Sequence, residues 1–339
     1  MIYKIHQQNA GILIFLFGIF ILLILPSTAL AAAEPIIIDH TCTDLSKIPN
    51  QWIEKAKDIF KISYGHTSHG SQIISGMNNL KESSDSLYWF DSIGSNDGLS
   101  LHDRKPSGDL GNPDRTTWAT KTRQMLDDPK NDRNLVIWSW CGQADTSEAN
   151  MQIYLDQMSK LEEDYPDITF IYMTGHLTGT GEDGNLNQRN NQIRDYCIKN
   201  DKILFDFADI ESYDPDGTYF LDKGATDSCN YKNGNWADEW CAANPTSDLC
   251  ASCSCAHSKP LNCNQKARAF WWMIARLAGW ESDTEDDTEI DVNINDAAEN
   301  IENTKSAENL DESTPQTNLL IILAVILILI IITAKMFKK

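Results

Sequence analysis

Four of the seven histidines lie at predicted strand ends or just before the last predicted helix: His66, His69, His176 and His257. An imidazole titrates near neutral pH, so it can transfer a proton or bind a metal ion. Ser68 lies between two of these histidines, and a serine hydroxyl becomes a nucleophile when an imidazole removes its proton. These residue types predict acyl transfer to Ser68, with metal binding as an alternative.

Such side chains meet only if the fold brings distant segments together. Strongly apolar segments alternate with segments of helical pattern; the apolar ones are residues 59–64, 135–140, 168–173 and 202–207. This alternation predicts parallel strands joined by helices, and the unbroken apolar runs indicate a sheet covered on both faces. We therefore expect a three-layer α/β/α sandwich around a mostly parallel, flavodoxin-like sheet of about five strands. Residues 91–114, rich in glycine, serine, aspartate and proline, are predicted to form a long loop.

Polar segments are expected at the carboxyl ends of these strands, where ligands bind to parallel sheets. The segments of interest are residues 65–70, 107–111, 141–143 and, before the last helix, 257–262. In order they read Gly-His-Thr-Ser-His-Gly, Ser-Gly-Asp-Leu-Gly, Cys-Gly-Gln and His-Ser-Lys-Pro-Leu-Asn. In type and order these segments resemble the motif blocks of the SGNH or GDSL-like hydrolases, in a divergent form.

The resemblance implies an ester hydrolase that needs no cofactor and no metal. It implies that Ser68 attacks the ester and that His257 takes the hydroxyl proton and returns it to the leaving alcohol. The donors that it implies for the oxyanion are the backbone amides of Ser68 and Gly142, the side chain of Gln143, and Gly108 or Gly111 of the second segment.

Two positions depart from the family pattern. Gln143 stands where the family has an asparagine, so its amide would take that role. Ser254 stands where the family has an aspartate, three residues before the histidine. Asp227 or Asp248 would then have to orient His257.

Other chemistries stay open on the same residues. His66, His69, His176 and His257 are candidate ligands of a metal-dependent hydrolase, since neutral imidazoles bind zinc well. Cys141 follows a predicted strand and is a candidate thiol nucleophile. The cysteines around residues 250–255, with His257, are similar to a zinc knuckle, although an exported protein favours disulfides.

A non-catalytic surface domain that binds glycans or another protein is the remaining alternative. It would need exposed aromatic rings but no contact between Ser68 and His257. In an enzyme, the candidate substrate-binding residues are His66, His69, His176, Trp236 and Trp240. The two tryptophans lie in cysteine-rich loops, where exposed rings could stack on sugars.

Nine cysteines indicate an oxidising compartment. Six of them fall between residues 229 and 263, and five of these six lie in a predicted cysteine-rich insertion over residues 214–262, just before the last helix. Six cysteines allow 15 pairings, so the connectivity is not predicted. The odd total leaves at least one thiol free or paired between chains.

The two ends of the chain predict an exported, tethered protein. Residues 1–33 have the basic start, apolar core and small-residue site of a signal peptide, and residues 34–280 form the predicted domain. Residues 281–316 carry 13 acidic residues and one lysine, as expected of a disordered stalk. Residues 317–339 predict a single membrane-spanning anchor with a basic cytoplasmic tail.

This organisation predicts a cell-membrane protein whose domain is extracellular. An ester of a polysaccharide or other glycan is then a natural substrate, and the membrane is a partner through the C-terminal helix. The formal net charge of −21 and the absence of a basic run exclude a typical nucleic-acid-binding surface. The oligomeric state is not predicted.

Overall fold

The computed structural model describes residues 34–281, so the predicted signal peptide, the stalk beyond Glu281 and the membrane anchor lie outside the described residues. Seven strands form the main sheet: β1 (Ile36–Ile38), β2 (Lys61–Gly65), β3 (Phe90–Asp91), β4 (Leu99–Asp103), β5 (Leu135–Trp138), β6 (Thr169–Met173) and β7 (Ile203–Phe205). Among the described residues, no helix is long and apolar enough to cross a membrane.

The sheet has the order β1-β7-β6-β5-β2-β4-β3, and every neighbouring pair is parallel. Its central strands β4-β2-β5-β6-β7 follow the flavodoxin-like order 2-1-3-4-5. The predicted α/β class is thus confirmed, with seven strands instead of about five. The prediction of a loop throughout residues 91–114 is wrong at β4, because this strand is short, ends in His102 and Asp103, and is flanked by turn residues that mask its apolar start.

Helices cover both faces of the sheet. They are α1 (Asn50–Ile59), α2 (Ser71–Leu80), α3 (Thr117–Leu126), α4 (Glu148–Asp164), α5 (Asn185–Lys199), α6 (Phe207–Ile210), α7 (Trp236–Ala243) and α8 (Pro260–Leu277). Alternate side chains of β5 enter opposite cores: Leu135 and Ile137 pack with α1, α2 and α8, and Val136 and Trp138 with α3, α4 and α5. Burial on both faces is the reason that β5 is apolar at every position.

Helices α2 and α8 pack together unusually closely. A Cβ atom at Gly76 would lie 2.1 Å from the backbone oxygen of Cys263, so only glycine permits this approach. The contact brings Gln72 of α2 within reach of Lys266 of α8 beneath the carboxyl ends of the strands.

The cysteine-rich insertion forms a small core of its own. It contains α7, a two-stranded hairpin of β8 (Asn230–Tyr231) and β9 (Gly234–Asn235), and the disulfides Cys241–Cys250 and Cys255–Cys263. Disulfide formation is therefore confirmed. The zinc-knuckle alternative is wrong, because Cys250 and Cys255 are already bonded to different cysteines.

Candidate active site

The candidate site lies at the carboxyl end of the sheet, between β2 and β5. The chain leaves these neighbouring strands toward opposite sides of the sheet, which opens a crevice where ligands bind in folds of this kind. The loop after β2 supplies Ser68 and His69, and the segment after β5 supplies Cys141. Asp227 and His257 come from the insertion and complete the cluster.

Three of these side chains form a continuous chain of polar contacts. Nδ1 of His69 lies 3.2 Å from Sγ of Cys141, and Nε2 of the same ring lies 3.0 Å from Oδ2 of Asp227. A thiol, an imidazole and a carboxylate in this order are arranged for general-base activation of a nucleophile, with the acid holding the ring in one tautomer. The thiol is partly exposed, so a substrate can reach it.

Ser68 and His257, the nucleophile and base expected from sequence, both reach this cluster but do not form a pair. Oγ of Ser68 lies 3.6 Å from Sγ of Cys141. The exposed His257 ring stacks on His69 with centroids 4.5 Å apart. Within residues 34–281, neither ring nitrogen of His257 has a hydrogen-bond partner on Ser68. The imidazole that faces a nucleophile is that of His69, and the nucleophile it faces is a thiol.

His176, from the segment after β6, packs flat against His69. The ring centroids are 3.7 Å apart and the ring planes differ by 2°. Nδ1 of His176 lies 3.0 Å from the backbone oxygen of Leu177 and 3.9 Å from Asp227. His69, His176 and Asp227 thus bring one potential metal ligand each within 4.8 Å of one another.

The surroundings of His69 favour its neutral form. Burial lowers the pKa of His69 below its usual value of 6.5, and the nearby His176 and His257 lower it further, while Asp227 opposes the shift. Burial alone would raise the pKa of Asp227, but the hydrogen bond from His69, the nearby His176 and the backbone N–H of Ser228 together outweigh it and leave that pKa below its usual value. A neutral imidazole beside an ionised carboxylate is the state that a general base needs at neutral pH.

His66 holds the loop rather than taking part in the cluster. Its Nε2 lies 2.6 Å from Oδ1 of Asp103 at the end of β4, and its Nδ1 lies 2.6 Å from the backbone oxygen of Thr67. Both ring nitrogens are thus occupied, which opposes a role for His66 as a metal ligand or substrate contact. Gly70 lets the loop close over this ring, because a Cβ there would lie 2.4 Å from Cβ of His66.

Of the groups expected to hold the oxyanion, the backbone amides after β5 are suitably placed, but the Gln143 side chain is not. The amides of Gly142 and Gln143 open a 3₁₀ turn right after Cys141, where first-turn N–H groups have no partner within the helix. The Gln143 side chain, however, donates to Oδ2 of Asp109 at 2.7 Å and so holds the neighbouring loop. Gly108 and Gly111 lie in that loop, which runs beside the end of β5 through a bridge between Leu110 and Trp140.

Three further expectations concern the insertion. Trp236 is 1% exposed in the core of the insertion, so the prediction that its ring is available to a sugar is wrong. Trp240 is half-buried, and its indole N–H donates to Asp216. Of the two candidate acids, Asp227 is in the cluster, but on His69 instead of His257; Asp248 lies exposed at the start of a 3₁₀ turn.

Sequence reasoning therefore found most members of the cluster and missed how they pair. His69 was expected to contact substrate or metal, and Cys141 was only an alternative nucleophile. The sequence did contain one indication of the pairing. Cys141 follows the strand next to β2, so its segment and the loop that carries His69 lie at the same end of neighbouring strands. Comparison with known proteins adds no relative, since no protein-family model, curated protein or solved structure matches this chain.

Proposed function

We propose that this protein is a hydrolase that transfers an acyl group to Cys141, with His69 as the base and Asp227 as the acid that orients it. The observation that carries the proposal is the unbroken contact chain of Cys141, His69 and Asp227, at 3.2 and 3.0 Å. Its place in the crevice between β2 and β5 supports the same conclusion.

The proposed reaction has two halves. His69 takes the thiol proton as Cys141 attacks the ester carbonyl, and the resulting oxyanion is held by backbone amides after β5. Collapse of this intermediate breaks the ester bond, and the proton on His69 passes to the leaving alcohol. Water, deprotonated by His69, then hydrolyses the thioester and releases the acid and free Cys141. Ser68, beside the sulfur, is placed to donate to the thiolate.

Single substitutions distinguish this proposal from the serine mechanism predicted by sequence. With p-nitrophenyl acetate as the probe, we expect Cys141→Ala to lower kcat/KM roughly 1,000-fold and Ser68→Ala about tenfold or less. The matched control is Cys253→Ser, which removes another partly exposed free thiol and should leave the rate unchanged.

Each other outcome has a defined meaning. Loss of activity in Ser68→Ala with retention in Cys141→Ala would replace the thiol mechanism by acyl transfer to Ser68. A wild-type protein that hydrolyses no ester, yet binds glycans, would favour the non-catalytic surface domain.

The proposals for the substrate and the location are supported by the sequence alone. The signal peptide, acidic stalk and C-terminal anchor support an extracellular domain tethered to the cell membrane, and we propose an ester on an extracellular glycan as its substrate. The burial of Trp236 removes one sugar-stacking surface from this argument, so it depends mainly on location.

A metal-dependent hydrolase is the second candidate, because His69, His176 and Asp227 converge within 4.8 Å. One contact opposes it: His69 already points Nε2 at Asp227, and a metal shared by these two groups would have to replace this hydrogen bond. Activity that is lost to a chelator, restored by Zn²⁺ and retained in Cys141→Ala would establish the metal mechanism.

A further inference from the structure

A fully buried ion pair lies directly beneath the candidate site. Lys266 of α8 and Glu211, which follows α6, are both 0% exposed, and Nζ lies 2.6 Å from Oε2 of the carboxylate. The same ammonium donates to Oε1 of Gln72 at 2.5 Å and lies 3.5 Å from the centre of the Phe207 ring. Burying two charges is costly, and hydrophobic side chains often stabilise a core as well, so stability alone is a weak reason for this pair.

The carboxylate of this pair binds the backbone of Leu177, a residue that two site residues contact. The backbone N–H of Leu177 donates to Oε1 of Glu211 at 2.5 Å. The carbonyl oxygen of the same residue accepts from the backbone N–H of Asp227 at 3.0 Å, and Nδ1 of His176 lies 3.0 Å from it. Glu211 thus holds the backbone of Leu177 by its N–H, and the carbonyl of the same residue contacts both the acid of the contact chain and the stacked histidine.

The amide of Gln72 extends the same network to the other loops. Its Nε2 donates to the backbone oxygen of Ala256 at 2.7 Å, one residue before His257. Its backbone N–H donates to the backbone oxygen of His69 at 3.0 Å. Lys266 therefore connects, through Gln72 and Glu211, every loop that brings an imidazole or carboxylate to the cluster.

We propose that Lys266, Glu211 and Gln72 are positioning residues that hold Asp227 against His69. This inference rests on the proposed function for its catalytic consequence, but the positioning itself is a property of the fold. Lys266 compensates the charge of Glu211, so that the carboxylate remains an acceptor for Leu177 in the dry core. Removing the ammonium alone leaves the carboxylate of Glu211 buried and unpaired. Either the loops must then move to let water reach this charge, or the carboxylate must take up a proton.

The test pairs a single with a double substitution. Lys266→Met should weaken the contact between His69 and Asp227 and lower kcat/KM about 100-fold, as expected when catalytic groups move by about 1 Å. Lys266→Met combined with Glu211→Gln restores neutrality and keeps a carbonyl acceptor for Leu177, so it should recover most of the rate. The matched control is Lys57→Met. It breaks a different ion pair, which is only partly buried and shares no partner with this network.

A spectroscopic signal measures positioning without catalysis. The low-field proton resonance of the imidazole N–H that faces Asp227, assigned by its loss in Asp227→Asn, should vanish in Lys266→Met and return in the double variant. The corresponding signal of the His66–Asp103 pair should persist in both variants, because neither side chain of that pair is hydrogen-bonded to Lys266, Glu211 or Gln72.

The outcomes separate this inference from the proposed function. If the resonance and the rate in Lys266→Met match those of the wild type, or the folded double variant lacks the resonance, the positioning role is overturned. If Lys266→Met does not fold but the double variant folds with the resonance, compensation of Glu211 is supported. If the resonance behaves as expected while Cys141→Ala keeps full activity, the positioning role stands and the thiol mechanism fails.

Discussion

At His69, burial and four neighbouring side chains set the pH at which the imidazole can act as a base. Burial and the two stacked histidines lower its pKa, and Asp227 and Glu211 raise it. Since the net shift is downward, the ring is still mostly neutral at pH 6.5, where an unperturbed histidine would already be half protonated. The acidic limb of the pH profile of kcat/KM should accordingly lie below pH 6.5.

Substitution of the neighbours should move this limb in opposite directions. Asp227→Asn removes a group that raises the pKa of His69, so the limb should shift to lower pH while the rate falls about 100-fold or more. His176→Asn removes a group that lowers the same pKa, so the limb should shift toward pH 6.5 with a smaller rate change. Rate profiles of both variants against the wild type check this, and limbs that coincide in all three proteins would show that His69 is not the titrating base.

The loop after β2 depends on close packing as well as on hydrogen bonds. His66 is buried between Tyr64 and Gly70, and its ring contacts Asp103 at the end of β4. Burial alone would raise the pKa of Asp103, but His66 outweighs this and lowers it. The loop that presents Ser68 and His69 is thereby attached to two adjacent strands.

A single methyl group should disturb this loop. In Gly70→Ala the new Cβ would lie 2.4 Å from Cβ of His66 and 2.7 Å from the Tyr64 hydroxyl oxygen. Overpacking of this kind costs about 1–3 kcal/mol of unfolding free energy. Gly142→Ala, whose Cβ would meet nothing within 4 Å, is the matched control and should be close to neutral in denaturant unfolding. Equal stabilities of the two variants would contradict the packing argument.

At one edge of the sheet, the first strand of the described chain contacts the segment around β7. β1 pairs with β7, and His40, just after β1, contacts Asp209 of α6 through its ring at 2.6 Å and its backbone N–H at 2.9 Å. Burial alone would lower the pKa of His40, but Asp209 outweighs this and raises it above 6.5.

The stability of the domain should therefore depend on pH through this pair. Because the folded pKa of His40 is raised, the pair stabilises the fold fully below pH 6.5, and its contribution is lost as the pH rises through the raised pKa. Asp209→Asn should lower the unfolding free energy by about 1 kcal/mol at pH 5.5 and by less at pH 9. Thermal unfolding of both proteins at the two pH values checks this, and a pH-independent difference would contradict it.

The pattern of the chain already predicted the fold class and the edge of the sheet where the candidate site lies. Apolar runs at every position, as in residues 135–138, require a sheet buried on both faces, and the polar segments after the strands must then gather at one edge. The spacing within α8 also indicates that Lys266 is buried. Phe270 and Met273, at i+4 and i+7, share its face of the helix, and both are buried.

What the chain pattern left open is the pairing of the side chains at that edge. Strand order brings loops within several ångströms of each other, whereas proton transfer depends on heavy-atom contacts near 3 Å. The conformation of the loops decides whether His69 or His257 faces a nucleophile, and whether that nucleophile is Cys141 or Ser68. It depends in turn on distant partners such as Glu211, which binds the backbone of Leu177 from 34 residues away along the chain. Three-dimensional packing alone fixes those contacts, because they join segments that no local pattern relates.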